Sequence, residues 1–277
     1  MSPLSCRNLC FTYNKQMLLN NINLEFNSGQ FVALIGANGV GKSTLLQLLL
    51  GLLKPQTGCV LLNGTEIHQQ KRRDIAKQLS FVPQSIELPY AFSARELVAM
   101  GRNPYLGPFE LESREDNLLI EQAMHKTDVL HLKNRQVNTL SGGEKQRVII
   151  ARSLAQQAAT ILLDEPIASL DLCHQIETLQ LIKSLTQSGK LAITAIHDLN
   201  FAASYCDRLI LLGEAGSESG TINGGRTIIA DGTPEQVLNE ENLANCFSIR
   251  ADINKIDNKV SLTNIAPLKR HQSINKE

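Results

Sequence analysis

Five consecutive apolar residues, Phe31-Val32-Ala33-Leu34-Ile35, interrupt a chain whose apolar positions elsewhere alternate or recur with helical spacing. A run of that kind predicts a strand covered on both faces. The same character returns at Ile161-Leu162-Leu163-Asp164, at residues 191–196 and at residues 207–212, with a shorter version at Leu79-Ser80-Phe81-Val82. Ile22, Leu24 and Phe26 alternate with Asn23 and Glu25, a half-buried strand, and the apolar run from Cys59 closes at Asn63-Gly64, a hairpin signal. Helical spacing is carried by Leu45, Leu46, Leu48 and Leu49, and by residues 113–131 with Leu118, Leu119, Ala123 and Met124 on one side. It recurs at residues 148–155 and in Leu172, Ile176, Leu179 and Ile182. Ser93 with Glu96 and Ser141 with Glu144 have the spacing of capping boxes, and Thr233-Pro234 opens a short helix. Together these predict an α/β core carrying a small antiparallel β lobe. Beyond about Arg250 the pattern turns polar and weakly periodic, which predicts a short appendage with a loose end past Lys269.

The chemistry concentrates where the apolar runs stop. After Ile35 comes Gly36-Ala37-Asn38-Gly39-Val40-Gly41-Lys42-Ser43-Thr44, a glycine loop between a strand and a helix. Glycines let successive N–H groups and the helix N-terminus approach a polyphosphate. Lys42 suits the β- and γ-phosphates and the Ser43 hydroxyl a magnesium ion. Asp164, at the end of its strand, suits a magnesium ligand, and Glu165 reaches a water aligned on the γ-phosphate. His197 also stands at a strand end, and Ser141-Gly142-Gly143-Glu144 is a glycine-flexed loop feeding a helix N-terminus that attracts an anion. Tyr13, upstream of the loop, is either a strand-end core residue or an aromatic for stacking on adenine. Pro89, Tyr90, Phe92, Pro104, Tyr105, Leu106, Pro108 and Phe109 form an aromatic, proline-rich segment suited equally to core or to a partner surface.

Composition narrows the setting. Lys+Arg and Asp+Glu are equal at 27 each, so the net charge is zero and nucleic acid is not the expected partner. The one tight basic run, Lys71-Arg72-Arg73, reads as a solvated helix face. No apolar stretch reaches the roughly 18 residues that cross a bilayer, and the N-terminus lacks a signal-peptide layout. The six cysteines are scattered without a C-x-x-C pair, as in a reducing cytosol.

Taken together, the segments resemble an ATP-binding-cassette ATPase over nearly the whole chain. Residues 36–44 match its Walker A loop, Gln84 its Q-loop, Leu140 to Glu144 its signature and Ile161 to Asp164 its Walker B strand. Glu165 matches its catalytic glutamate, Ser169-Leu170-Asp171 its D-loop, His197 its switch histidine and Tyr13 its adenine-stacking aromatic. The resemblance implies an α/β fold: a RecA-like P-loop NTPase core with an antiparallel β subdomain and an inserted α-helical signature subdomain. The ATPase domain would occupy residues 1–247, its helical insertion about 85–157, and an appendage 248–277. ATP and Mg²⁺ are the implied cofactors, the metal held by Ser43, Gln84 and Asp164, with Lys42, Gln84, Glu165 and His197 catalytic. A head-to-tail homodimer is implied, in which Ser141, Gly142, Gly143 and Glu144 of one copy face the nucleotide of the other, with Asp171 also at the site.

Phe81-Val82-Pro83-Gln84, the stretch from Arg95 to Tyr105, His197-Asp198-Leu199-Asn200 and Tyr205-Cys206-Asp207 further resemble the ATPase subunits of ferric-siderophore, haem and vitamin B12 importers. That resemblance implies transmembrane permease subunits, a periplasmic or surface substrate-binding protein, and a peripheral place on the cytoplasmic face of the inner membrane. Ferric siderophore is the expected cargo, with haem, vitamin B12 or another metal ion as alternatives. A soluble cassette ATPase of translation or DNA repair would carry two cassettes or a long coiled coil, neither visible here. A purely regulatory nucleotide-binding subunit would not need Glu165 and His197. Two departures stand out: Ile167 where the family has Thr or Ser, and a Gly/Ser-rich loop from Glu214 to Arg226, read as a surface insertion.

Overall fold

The computed structural model describes residues 3–84, 92–214, 225–256 and 259–268. The chain opens with β1 (Leu4–Tyr13), β2 (Gln16–Phe26), β3 (Phe31–Ile35), α1 (Lys42–Leu49), the hairpin β4 (Thr57–Leu62) and β5 (Thr65–Glu66), α2 (Arg72–Ala76) and β6 (Leu79–Val82). Three helices follow: α3 (Ala94–Ala99), α4 (Arg114–Lys126) and α5 (Gly142–Ala155). Strand and helix then alternate through β7 (Thr160–Asp164), α6 (Leu172–Gln187), β8 (Leu191–Ala195), α7 (Leu199–Tyr205) and β9 (Arg208–Glu214). β10 (Arg226–Gly232), α8 (Pro234–Val237), α9 (Glu240–Phe247), β11 (Ile249–Ile256) and β12 (Lys259–Pro267) complete the described chain.

One ten-stranded sheet runs in the order β5-β4-β1-β2-β10-β9-β3-β8-β7-β6. Its β9-β3-β8-β7-β6 half is parallel, and β5-β4-β1-β2 is antiparallel. β10 joins the halves, antiparallel to β9 but meeting β2 at the single pair Arg226↔Leu19 among the described residues. The apolar run in β3 has a plain cause. Phe31, Ala33 and Ile35 enter a core shared with α3 to α7, while Val32 and Leu34 enter a second core with α1 and the β lobe. A strand walled on both faces has no position for a charged side chain until it ends.

α3, α4 and α5 pack on one another, and α5 also lies against β6, where Ser153 Oγ donates to Ser80 Oγ at 2.8 Å. Between them the buried Arg102 donates to Asp116 Oδ1 at 2.7 Å and to the Ala155 carbonyl, and its guanidinium lies 4.0 Å from the centre of the Tyr105 ring. Tyr105 is thereby structural, its hydroxyl 3.0 Å from the Gln156 carbonyl, whereas Phe109 of the same aromatic segment is fully exposed. Pro89 and Tyr90 lie outside the described residues.

Three expectations need correction. α4 stops at Lys126 rather than residue 131, because Asp128 adopts a left-handed backbone (φ 52°). Its buried face is Asp116, Ile120, Ala123 and Met124, leaving Leu118 exposed, and Leu172 of α6 is exposed too. Lys71, Arg72 and Arg73 are exposed at the start of α2, as expected of a solvated face, and Arg72 also donates to the Gly51 carbonyl and Arg73 to the carbonyls of Pro104 and Tyr105. The appendage is a β hairpin, with Val260 and Leu262 buried and the Asn200 side chain exchanging two hydrogen bonds with the Leu262 backbone. The expected loose end past Lys269 lies outside the described residues, as does the Gly/Ser-rich loop from 215 to 224.

The Ser113 hydroxyl, and after it Arg102, hold the Asp116 carboxyl down at about 2. Stability drawn from this pair is therefore full above the ordinary carboxyl range and is lost as pH falls through about 2. Asp116→Ala should lower the unfolding free energy at neutral pH by about 3–5 kcal/mol, because it strands a buried guanidinium. Denaturant titrations of the two proteins at pH 7 and near pH 3 check this, with the gap shrinking at the lower pH.

Candidate functional site

Four neighbouring parallel strands, β3, β8, β7 and β6, deliver the polar residues at their carboxyl ends. Gly36 follows β3, His197 follows β8 by two residues, Asp164 and Glu165 close β7, and Gln84 follows β6 by two. Such an edge is where ligands bind in open α/β sheets. A cleft of about 610 Å³ lies there, walled by Leu18, Asn38, Gly39, Gly41, Lys42, Ser43, Thr44, Gln84, Glu165 and His197.

The loop from 36 to 41 depends on backbone that only glycine adopts freely. Gly36 has φ 145°, and a Cβ there would lie 2.4 Å from the Leu212 carbonyl oxygen. Gly41 (φ 105°) caps α1, and a Cβ would strike Leu19 at 2.9 Å. Val40 is buried beneath the loop, while Ala37, Asn38 and Gly39 are exposed. Lys42 begins α1 and folds back, its Nζ donating to the carbonyls of Gly36 at 2.8 Å and Ala37 at 3.1 Å. Burial pulls its ammonium below the ordinary range, and the charges of Glu165 and Asp164 pull it back up.

Ser43 Oγ donates to Asp164 Oδ1 at 2.9 Å. Burial raises the Asp164 carboxyl above its ordinary value despite that bond, and the Glu165 charge adds to the rise. Glu165 is held by both oxygens: Gln84 Nε2 donates to Oε2 at 2.8 Å, and His197 Nε2 bonds Oε1. Its own backbone is left-handed (φ 49°), a conformation costing about 1–3 kcal/mol outside glycine. The Glu165 N–H bond to the Ala195 carbonyl at 3.2 Å ties that turn to β8. Ser43, Asp164 and Gln84 thus offer only oxygen ligands near a phosphate-shaped loop, a donor set that suits a small hard cation. Among the described residues no three His, Cys, Asp or Glu side chains gather as a metal cage, and magnesium needs none.

Tyr13 is 58% exposed and touches Phe11 edge-on at 5.8 Å, so the core reading of it fails; it is nevertheless not among the cleft walls. Leu18 is, a position that sequence reasoning missed. Its signal was the break in alternation at Leu18-Leu19, where Leu19 fills the core and Leu18 is left beside Gly41. Ser141, Gly142, Gly143, Glu144 and Asp171 do not line this cleft. Ser141 caps α5 in a capping box with Glu144, and Gly142 and Gly143 lie against Ser169 and Leu170 of the loop that follows Glu165. Ser141 and Gly142 are exposed, so that face offers its helix terminus outward. Ile167 is buried in the larger core, and its carbonyl accepts from Leu170 N and Gln175 Nε2.

The ABC transporter family matches residues 19–168. Among curated relatives, the achromobactin transport ATP-binding protein CbrD of Dickeya dadantii is 38% identical over 90% of this chain and 89% of that protein. The iron(3+)-hydroxamate import ATP-binding protein FhuC of Bacillus subtilis is 36% identical over 91% and 90%. The cobalamin import ATP-binding protein BtuD of Halobacterium salinarum is 37% identical over 85% of this chain but 56% of its own length. Among solved structures, an inward-facing transporter described as of metal-chelate type superposes with a TM-score of 0.79 at 29% identity, over 98% of this chain and 99% of that one. A dimeric bacterial ABC transporter cassette gives 0.71 at 28% identity, over 83% and 98%. This chain belongs to the ABC transporter family. It is a nucleotide-binding, ATP-hydrolysing member of it.

Two outcomes follow from the geometry. Gly36→Ala forces its Cβ into the Leu212 carbonyl, so affinity for a fluorescent ATP analogue should fall at least about tenfold, with a lower melting temperature. Asp164 carries a raised carboxyl, so its ionisation costs folding stability above the folded-state value, and the cost vanishes below the unfolded one. Asp164→Asn without nucleotide should therefore melt at or above the native temperature at pH 7, and the difference should disappear by about pH 3 in scanning calorimetry.

Proposed function

We propose that this chain hydrolyses ATP to drive uptake of a metal chelate, a ferric siderophore, through a membrane transporter. One observation carries the reading: Glu165, fixed by Gln84 and His197, faces a cleft shared with the Lys42 loop and the Ser43–Asp164 pair. The names of the achromobactin and iron(3+)-hydroxamate relatives support the cargo. The cobalamin relative, almost as similar, favours cobalamin as the second reading.

Lys42 and the loop N–H groups would hold the β- and γ-phosphates, placing positive charge where it develops during transfer. Ser43, Gln84 and Asp164 would hold Mg²⁺, which when bound neutralises phosphate charge. Glu165 would turn from its present partners to a water, orient it on the γ-phosphorus and take its proton as the bond to the β-phosphate oxygen breaks. His197 Nε2 would hold that water and the γ-phosphate. Tyr13 and Leu18 would flank the base.

A second copy would complete the site, since Ser141, Gly142, Gly143 and Glu144 stand outside the cleft of their own chain. Donors supplied to a charged γ-phosphate are roughly twice as strong as neutral ones. ATP would therefore close a head-to-tail dimer and its hydrolysis would open it. Among the described residues no helix is long and apolar enough to cross a membrane, so transmembrane permease subunits would form the path, with this chain peripheral on the cytoplasmic face. A periplasmic or surface substrate-binding protein would deliver the cargo. The ATPase unit would span residues 1–247, with residues 85–157 as its helical subdomain and 248–277 as an appendage.

Glu165→Gln tests the catalytic assignment. Phosphate release should fall by about 10²-fold or more while ATP affinity stays within a few-fold, and a dimer should accumulate with ATP in light scattering. Native turnover in that variant removes Glu165 from the role. For the cargo, a strain lacking this chain should lose uptake of radiolabelled ferric siderophore and keep uptake of labelled cobalamin; the opposite pattern selects the second reading.

A further inference from the structure

Asp171 lies at the end of the loop that begins at Glu165, and the residue that fixes it is His174, to which none of the sequence motifs gives a part. The Asp171 carboxylate accepts from the His174 backbone N–H at 3.0 Å, the ordinary N-cap of α6. The imidazole adds a second grip, with Nδ1 2.8 Å from each carboxylate oxygen. A carboxylate can only accept, so the proton of this bond sits on Nδ1 and Nε2 is directed elsewhere. A plain N-cap needs one oxygen and leaves the carboxylate free to turn. Two donors from one residue fix its plane as well as its position.

That loop is more than a connection. Its start is the Glu165 turn, where Ala168 N bonds the Glu165 carbonyl at 3.3 Å and Leu170 N the Ile167 carbonyl at 3.2 Å. Its middle residues, Ser169 and Leu170, are the surface on which Gly142 and Gly143 rest. Its last residue, Asp171, is gripped by His174. One end of a seven-residue bridge thus carries the candidate general base, and the other end is clamped by an imidazole.

We propose that His174 is a positioning residue for ATP hydrolysis: its Nδ1–H locks Asp171 and so fixes the loop that presents Glu165 and supports the Ser141 turn. The inference rests on the hydrolytic reading of Glu165 given above. Freeing the carboxylate should loosen the alignment of Glu165 without disturbing the Lys42 loop, so it should lower kcat and spare the KM for ATP. Misplacements of an ångström or less suffice for large rate losses.

The test is steady-state phosphate release from the full 277-residue chain, comparing native protein with His174→Ala, His174→Asn and His174→Gln. The Asn amide nitrogen can occupy the place of Nδ1, whereas the Gln amide reaches the place of Nε2. His174→Ala should lose about 5- to 50-fold in kcat with KM within twofold, His174→Asn should recover most of it, and His174→Gln should not. All variants keep the backbone cap, so melting temperatures of the Asn and Gln proteins should agree. Native kcat in the Ala variant, equal rates for Asn and Gln, or a loss confined to KM would overturn the proposal. Loss of activity in Glu165→Gln alongside unchanged His174 variants would sink this inference alone, while full activity in Glu165→Gln would remove its foundation.

Discussion

A strand packed on both faces holds charged and catalytic side chains only where it stops, and this constraint places the whole site. β3, β8, β7 and β6 are walled by two apolar cores, so Gly36, His197, Asp164, Glu165 and Gln84 all fall on one edge of the sheet. No long-range attraction is needed to gather them. The apolar residues decide, and the charged residues occupy what remains.

The gathered charges then set each other's behaviour. Burial pulls the Lys42 ammonium down and pushes the Asp164 carboxyl up, and the charge of each opposes the shift of the other. Glu165 is kept in place by Gln84 and His197 at the expense of an uncommon backbone conformation. Its partners come from two other strands, so any change in strand packing is felt directly at this group.

Much of this was legible because it is local. The glycine loop, the carboxylates after Leu163, and the Ser141–Glu144 box each lie within a few residues of their structural cause. What escaped was set by contacts distant in sequence. Helical spacing grouped Leu118 with Leu119, Ala123 and Met124, and only packing against α3 and α5 placed Ile120 on the buried face and left Leu118 outside. Val260 and Leu262 are two apolar residues amid polar ones, a pattern too short to announce a hairpin until Asn200 supplies its backbone partners. The two carbonyl contacts of Arg73 and the place of Leu18 beside Gly41 are likewise products of tertiary closure.

The seam at Arg226 and Leu19 has a mechanical meaning. Among the described residues the antiparallel lobe meets β10 at one paired position, and it is further held by the Arg208 hydrogen bond to the Glu25 carbonyl and by the apolar core shared with α1. Hydrophobic packing is non-directional and tolerates small rotations that a ladder of hydrogen bonds resists. Leu18 rides on the lobe and Lys42 on the parallel half. The spacing between them is therefore set by how the lobe seats on that apolar core, with the Arg226–Leu19 pair and the Arg208–Glu25 hydrogen bond as its polar fastenings.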